Sequence, residues 1–170
     1  AAPIGLVVVF VAFFIATPDF LTVANISDLL VSAAILLVLA MGQQLVVTVA
    51  GIDLSVGSNL PWAAAVLGFG YSHGWGLAIS IIAAVLAGLL VGVVNGVLVA
   101  RLNMTDFIVT LGSLSVVSDL TLLLTGGNTV PVNSSFLQGL ALDGIGPLRW
   151  FWVLAVLVAL VVGFLLFRTR

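Results

Sequence analysis

The chain has 170 residues, 63% of them hydrophobic and 6% charged, with a formal net charge of −2. A soluble domain carries about 25% charged residues, so a water-soluble fold is excluded. Four arginines and no lysine leave no basic cluster for nucleic-acid phosphates, and the lack of Cys removes disulfides and thiolate metal sites. The composition is that of an integral membrane protein in the lipid bilayer, and the apolar segments below make the expected fold an all-α transmembrane helix bundle.

A helix needs about 20 apolar residues to cross the hydrocarbon core. Six segments are candidate spans: Ala1–Ala16, Leu29–Ala50, Leu54–Tyr71, Leu77–Ala100, Phe107–Thr125 and Trp150–Phe167. The first is short, starts without Met and lacks the charged start and cleavage site of a signal peptide. Residues are therefore expected to precede it. The turn Thr17-Pro18-Asp19 closes it.

In the second segment Gln43 and Gln44 stand about two turns before its end, with Thr48 following. Two adjacent amides cannot both face lipid cheaply, so at least one is expected to point into the bundle. Next comes Gly51-Ile52-Asp53-Leu54-Ser55-Val56-Gly57-Ser58. A carboxylate at the centre of a membrane helix costs roughly 2.5–3.5 kcal/mol to insert, and flanking glycines permit turns that other residues resist. This stretch reads as a break between helices that dips into the membrane, where irregular backbone is tolerated only inside protein or beside a cavity. Asp53 is expected to cap the following helix and only secondarily to touch a transport route, with Ser55 or Ser58 as alternative caps. A helix start near Ser58 would place Pro61 in the first turn, where proline loses no hydrogen bond.

The fourth segment carries Ala84, Gly88, Gly92, Gly96 and Ala100 at four-residue spacing. Gly88, Gly92 and Gly96 form a ridge that lets a second helix approach closely, and Asn95 beside it reads as a packing hydrogen-bond donor before a solute contact. The fifth segment is rich in hydroxyls. At about 100° per residue, Thr110, Ser113, Ser118 and Thr121 gather on one side, while Gly112, Ser115 and Asp119 lie opposite. Either these groups line a polar path, or they bond their own helix at position i−4. The 126–149 connection, with two prolines, has room for a short surface helix.

Six crossings would put Arg101, Arg168 and Arg170 on one side, which the positive-inside rule makes cytoplasmic, with Arg149 opposite. Trp75, Trp150 and Trp152 then fall at the outer interface. A phosphate-cradling nucleotide loop needs a Lys that this chain lacks, and the single His73, in an outer turn, cannot assemble a zinc site or a usable catalytic triad. No catalysis, cofactor or metal is expected, so any ATP that drives transport must be hydrolysed on another protein. The competing class is a secondary transporter coupled to protons or Na⁺ through Asp53 or Asp119. A membrane-anchored assembly subunit is a weaker third reading.

The stretch from Gly51 to Ser58 resembles the signature of ribose-type permeases, the membrane subunits of bacterial ATP-binding-cassette sugar importers. Phe20-Leu21-Thr22-Val23-Ala24-Asn25, Gly92-Val93-Val94-Asn95-Gly96 and Phe107-Ile108-Val109-Thr110-Leu111-Gly112 follow in the family's order. The resemblance covers nearly the whole chain. It implies one transmembrane permease domain over residues 1–170, forming the N-terminal portion of a longer permease in the bacterial cytoplasmic membrane. It further implies a second permease copy, two cytoplasmic ATPase subunits and a periplasmic substrate-binding protein as partners. The carried solute would be a sugar or a similar small polar molecule. The candidates for the transport path or the helix break are Gln43, Gln44, Asp53, Ser55, Asn95, Thr110, Ser113 and Asp119. Three positions depart from the family pattern: Asn59-Leu60-Pro61-Trp62 replaces a small or aliphatic stretch, Thr105-Asp106 a proline-containing pair, and Asp119 a glycine.

Overall fold

The computed structural model describes residues 2–168, and the described chain is built almost entirely from helix. The expected roles of Ala1 and Arg170 lie outside these residues. Seven helices run in the order α1 (Ala2–Ala16), α2 (Val23–Thr48), α3 (Val56–Ser72), α4 (Leu77–Ala100), α5 (Asp106–Thr125), α6 (Ser135–Leu142) and α7 (Trp150–Arg168). A two-stranded antiparallel turn, β1 (Gly144–Ile145) with β2 (Leu148–Arg149), precedes α7.

Four of these helices, α2, α4, α5 and α7, are long and apolar enough to cross a membrane. Two expected spans come out shorter. Helix α1 has 15 residues and α3 has 17, about 22 and 26 Å at 1.5 Å per residue. Helix α2 starts at Val23, six residues before the expected Leu29. The reason is a local cap: the Thr22 hydroxyl accepts the Asn25 N–H at 3.3 Å, and Asn25 Nδ2 donates to the Phe20 carbonyl at 2.7 Å. These polar residues start the helix before its apolar run begins.

The chain divides into two compact units, one of residues 1–41 with 135–170 and one of residues 42–134. In the first, the Phe20 ring meets Phe10 edge-on at 5.0 Å and stacks on Phe13 at 6.0 Å, which ties the interhelix turn to α1. The expected short helix in the 126–149 connection is α6, and Asp143, just after it, accepts the Trp150 N–H at 3.0 Å.

In the second unit α3 is the central helix, packed on both α4 and α5. Small residues make this close packing possible. Ala65, Gly68 and Gly70 of α3 and Ala84 of α4 are buried. Gly68 lies against Val130 of the segment after α5, and the Tyr71 hydroxyl donates to the Asn133 carbonyl at 2.9 Å. At the end of α3, Phe69 stacks on His73 at 4.0 Å, while His73 Nδ1–H donates to the Phe69 carbonyl at 2.8 Å.

Gly70 sits beneath the Trp75 ring. A Cβ there would lie 2.7 Å from Trp75 Cε3 and 3.0 Å from the buried Ser80 Oγ. Gly70→Ala is therefore expected to destabilise the protein by about 1–3 kcal/mol, the range of overpacking. Thermal unfolding in detergent should show a lower midpoint, and an unchanged one would refute this packing account.

Candidate functional site

The site is the break between α2 and α3 together with the faces of α4 and α5 beside it. Helix α2 closes with two crossing bonds, Ala50 N–H to the Val47 carbonyl at 3.0 Å and Gly51 N–H to the Val46 carbonyl at 3.0 Å. This is the Schellman pattern, whose turning residue adopts a left-handed conformation. Here that residue is Ala50, at φ 58°, where glycine is the usual choice. Gly51 follows in a tight place: a Cβ there would be 3.1 Å from Val46 Cγ1 and 3.3 Å from the Val46 carbonyl oxygen.

Beyond the turn, Ser55 N–H and Ser55 Oγ–H both donate to Oδ1 of Asp53, at 2.8 and 2.6 Å. Asp53 thus bonds Ser55, the residue on which α3 starts, while the Ser55 hydroxyl makes no cap of its own. This turn begins α3 at Val56, earlier than Ser58. Pro61 consequently lies inside the helix rather than in its first turn, and with no N–H it leaves the Gly57 carbonyl without its helical donor. Ser58 is buried and donates from Oγ to the Ser55 carbonyl at 3.0 Å.

Ser55 is 2% exposed and continues the network. Asn95 Nδ2 of α4 donates to Ser55 Oγ at 2.9 Å, and Ser113 Oγ of α5 donates to Asn95 Oδ1. Four of the expected residues, Asp53, Ser55, Asn95 and Ser113, therefore form one chain of hydrogen bonds across three elements. Thr110 joins the break by a second route, its hydroxyl donating to the Asp106 carbonyl at 2.8 Å and reaching the Ile52 carbonyl at 3.3 Å.

The remaining candidates are not drawn in. Gln43 is half-buried and Gln44 exposed near the end of α2, and neither joins this network. Asp119 is exposed on α5. The hydroxyls of α5 divide: Ser113 reaches α4, Thr110 bonds back to Asp106 and also reaches Ile52, and Ser115 and Thr121 bond back to Leu111 and Val117. The glycine ridge divides as well. Asn59 Nδ2 of α3 donates to the Gly88 carbonyl at 3.2 Å, while Gly92 and Gly96 are exposed with open space where a Cβ would be. Next to the network, α4 and α5 border a groove of about 500 Å³ with Val94, Leu98, Ile108 and Val116 in its wall and Ser113 as its only hydroxyl.

Sequence reasoning passed over Asp106. Its Oδ2 accepts the Ile52 N–H at 2.6 Å and its Oδ1 accepts the Phe107 N–H at 2.8 Å. An acid in the first turn of a helix reads as an ordinary response to the helix dipole. The distant partner is a backbone amide 54 residues away, which leaves no side-chain pattern to find.

Residues 25–170 match the family described as branched-chain amino acid transport system / permease component. Similar curated proteins include the autoinducer 2 import system permease protein LsrC of Yersinia pseudotuberculosis, 39% identical over 141 residues, or 81% of this chain and 39% of that protein. LsrC of Escherichia coli strain SMS-3-5 / SECEC is 36% identical over 141 residues, 81% of this chain and 41% of the relative. LsrC of Yersinia pestis strain Pestoides F is 39% identical over 129 residues, 74% and 37% of the two chains. This chain thus spans about two fifths of the length of the curated relatives it matches. No solved structure matches it. The chain belongs to this permease family of ATP-binding-cassette importers. The resemblance to monosaccharide-type permeases is borne out, as is the reading as an integral membrane protein.

Because Asp53 uses a single oxygen for both of its bonds, an amide oxygen can replace it. Asp53→Asn should assemble nearly as well as the parent, while Asp53→Ala should lose about 1–3 kcal/mol through unpaired buried groups at Ser55. Yield of folded protein and thermal midpoint measure both. Equal losses for the two variants would contradict the geometry. Asn95→Leu, similar in size, removes the links to Ser55 and to Ser113 and should also cost about 1–3 kcal/mol; a midpoint within one degree of the parent would show that the network adds no stability.

Proposed function

We propose that this chain forms part of the membrane subunit of an importer that carries a sugar or similar small polar solute across the bacterial cytoplasmic membrane. Two permease copies, two cytoplasmic ATPases and a periplasmic binding protein make up the working assembly. Helices α1 and α3 cross the membrane as do the four longer helices, giving about six spans in one permease domain, with Arg101 and Arg168 on the cytoplasmic side. Alternating access follows from the ATPases closing on ATP, which shifts the permease between outward-open and inward-open states.

The observation that carries this reading is the polar chain Asp53–Ser55–Asn95–Ser113, buried at Ser55 and Asn95 in a highly apolar protein. Polar networks inside a membrane are expensive and mark transport routes by default. The helix break supplies irregular backbone at the same place, as transporters do at their solute sites. Gln43, Gln44 and Asp119 are candidate contacts along the route, and Gly92 and Gly96 offer a close-packing face to another helix. Relatives named for autoinducer 2 import make that molecule the first solute to test, beside pentoses and hexoses.

The test is reconstitution of the full-length permease with its ATPase and binding protein in vesicles. Uptake of labelled autoinducer 2 or ribose should require ATP and be unaffected by collapsing proton and Na⁺ gradients. A permease that never co-purifies with an ATPase, or uptake driven by a gradient without ATP, would sink the reading. The second outcome would favour a secondary carrier using Asp53 or Asp119.

A further inference from the structure

We propose that Asp106 is a positioning residue: its carboxylate latches the start of α5 to the helix break and thereby holds Asp53 in place. The two oxygens have separate tasks. Oδ1 accepts the Phe107 N–H in α5 itself, and Oδ2 accepts the Ile52 N–H in the break. Thr110, one turn further along α5, presents its hydroxyl to the Ile52 carbonyl. Both polar groups of the Ile52 backbone are therefore held by α5, and Ile52 immediately precedes Asp53. Fixing that residue fixes the point from which the Asp53 carboxylate reaches Ser55, and through Ser55 the side chains of Asn95 and Ser113. The α4–α5 turn that carries Asp106 becomes a handle on the break: a shift of this turn must drag Ile52 or break its bonds. The latch follows from the geometry alone, and only its use in solute movement rests on the transport reading.

The two acids differ in a way that chemistry can separate. Asp53 accepts both of its bonds on one oxygen, so Asn preserves them. Asp106 accepts on two oxygens from two N–H donors, so an amide there must turn an NH₂ group towards one of those donors. If Asp106 did no more than accept the Phe107 N–H within α5, Asn would serve as well, because its amide oxygen can accept that one bond.

This chain has no Cys, so Ile52→Cys in an otherwise cysteine-free full-length permease reports on the break alone. Ile52 is 47% exposed, which makes labelling measurable. Rates of modification by N-ethylmaleimide would be compared in membrane vesicles holding the assembled transporter. Asp106→Asn should raise the rate on the order of tenfold, the effect of losing one charge-assisted hydrogen bond. Asp106→Glu, which keeps two oxygens, should restore most of the parent rate, and Asp53→Asn should stay within about twofold of it. If Asp106→Asn is not recovered, Asp106→Ser, too short to span to Ile52, is read in the same assay with the same expectation. Parent-like labelling in the Asn or Ser variant overturns the latch. Loss of ATP-driven uptake in Asp106→Asn with rescue by Asp106→Glu supports its use in transport. Variants that show the latch by labelling, in a permease whose uptake is driven by a proton or Na⁺ gradient without ATP, leave the latch standing and refute the importer reading.

Discussion

The peptide groups of Ile52 set the constraint on which the second unit depends. Where a helix ends, its freed backbone groups need other partners. Here α5 meets them, through the Asp106 carboxylate on one side and the Thr110 hydroxyl on the other. The break is consequently an ordered part of the packed unit, with Gly51 pressed between Val46 and Asp106.

From that anchor the polar network extends outwards in one direction. Asp53 orders Ser55, Ser55 receives Asn95, and Asn95 receives Ser113. Every link has a donor facing an acceptor, so the charge of one carboxylate is spread over three elements without an ion pair. In a low-dielectric interior a fully satisfied network is rigid, while a half-satisfied one is costly. This is how a chain with 6% charged residues holds Asp53 between its helices.

Elsewhere in the second unit small residues make the close packing. Ala65, Gly68 and Gly70 on α3 let the neighbouring segments approach to within hydrogen-bonding distance, and Gly88 admits Asn59 to the α4 backbone. Glycine earlier read as a helix breaker thus has two uses in one unit. At Gly51 it fits a turn, and at Gly70 and Gly88 it opens space for a neighbour.

Membrane class, helical architecture and family were legible from residues 1–170, because lipid imposes long apolar runs and the family's motifs keep their order. That Asp53 needs a partner was also legible, since it is an acid between glycines in an apolar chain, and the structure gives it Ser55. The sequence could not say which of the α5 hydroxyls reach out, because Thr110, Ser113, Ser118 and Thr121 share one helical side and only packing chooses between them. The start of α2 at Val23 was missed because a local side-chain cap, and not hydropathy, decides it. The pairing of Asp106 with Ile52 was decided by tertiary structure alone: a backbone N–H is the same at every residue, so only the fold shows which one a distant carboxylate meets.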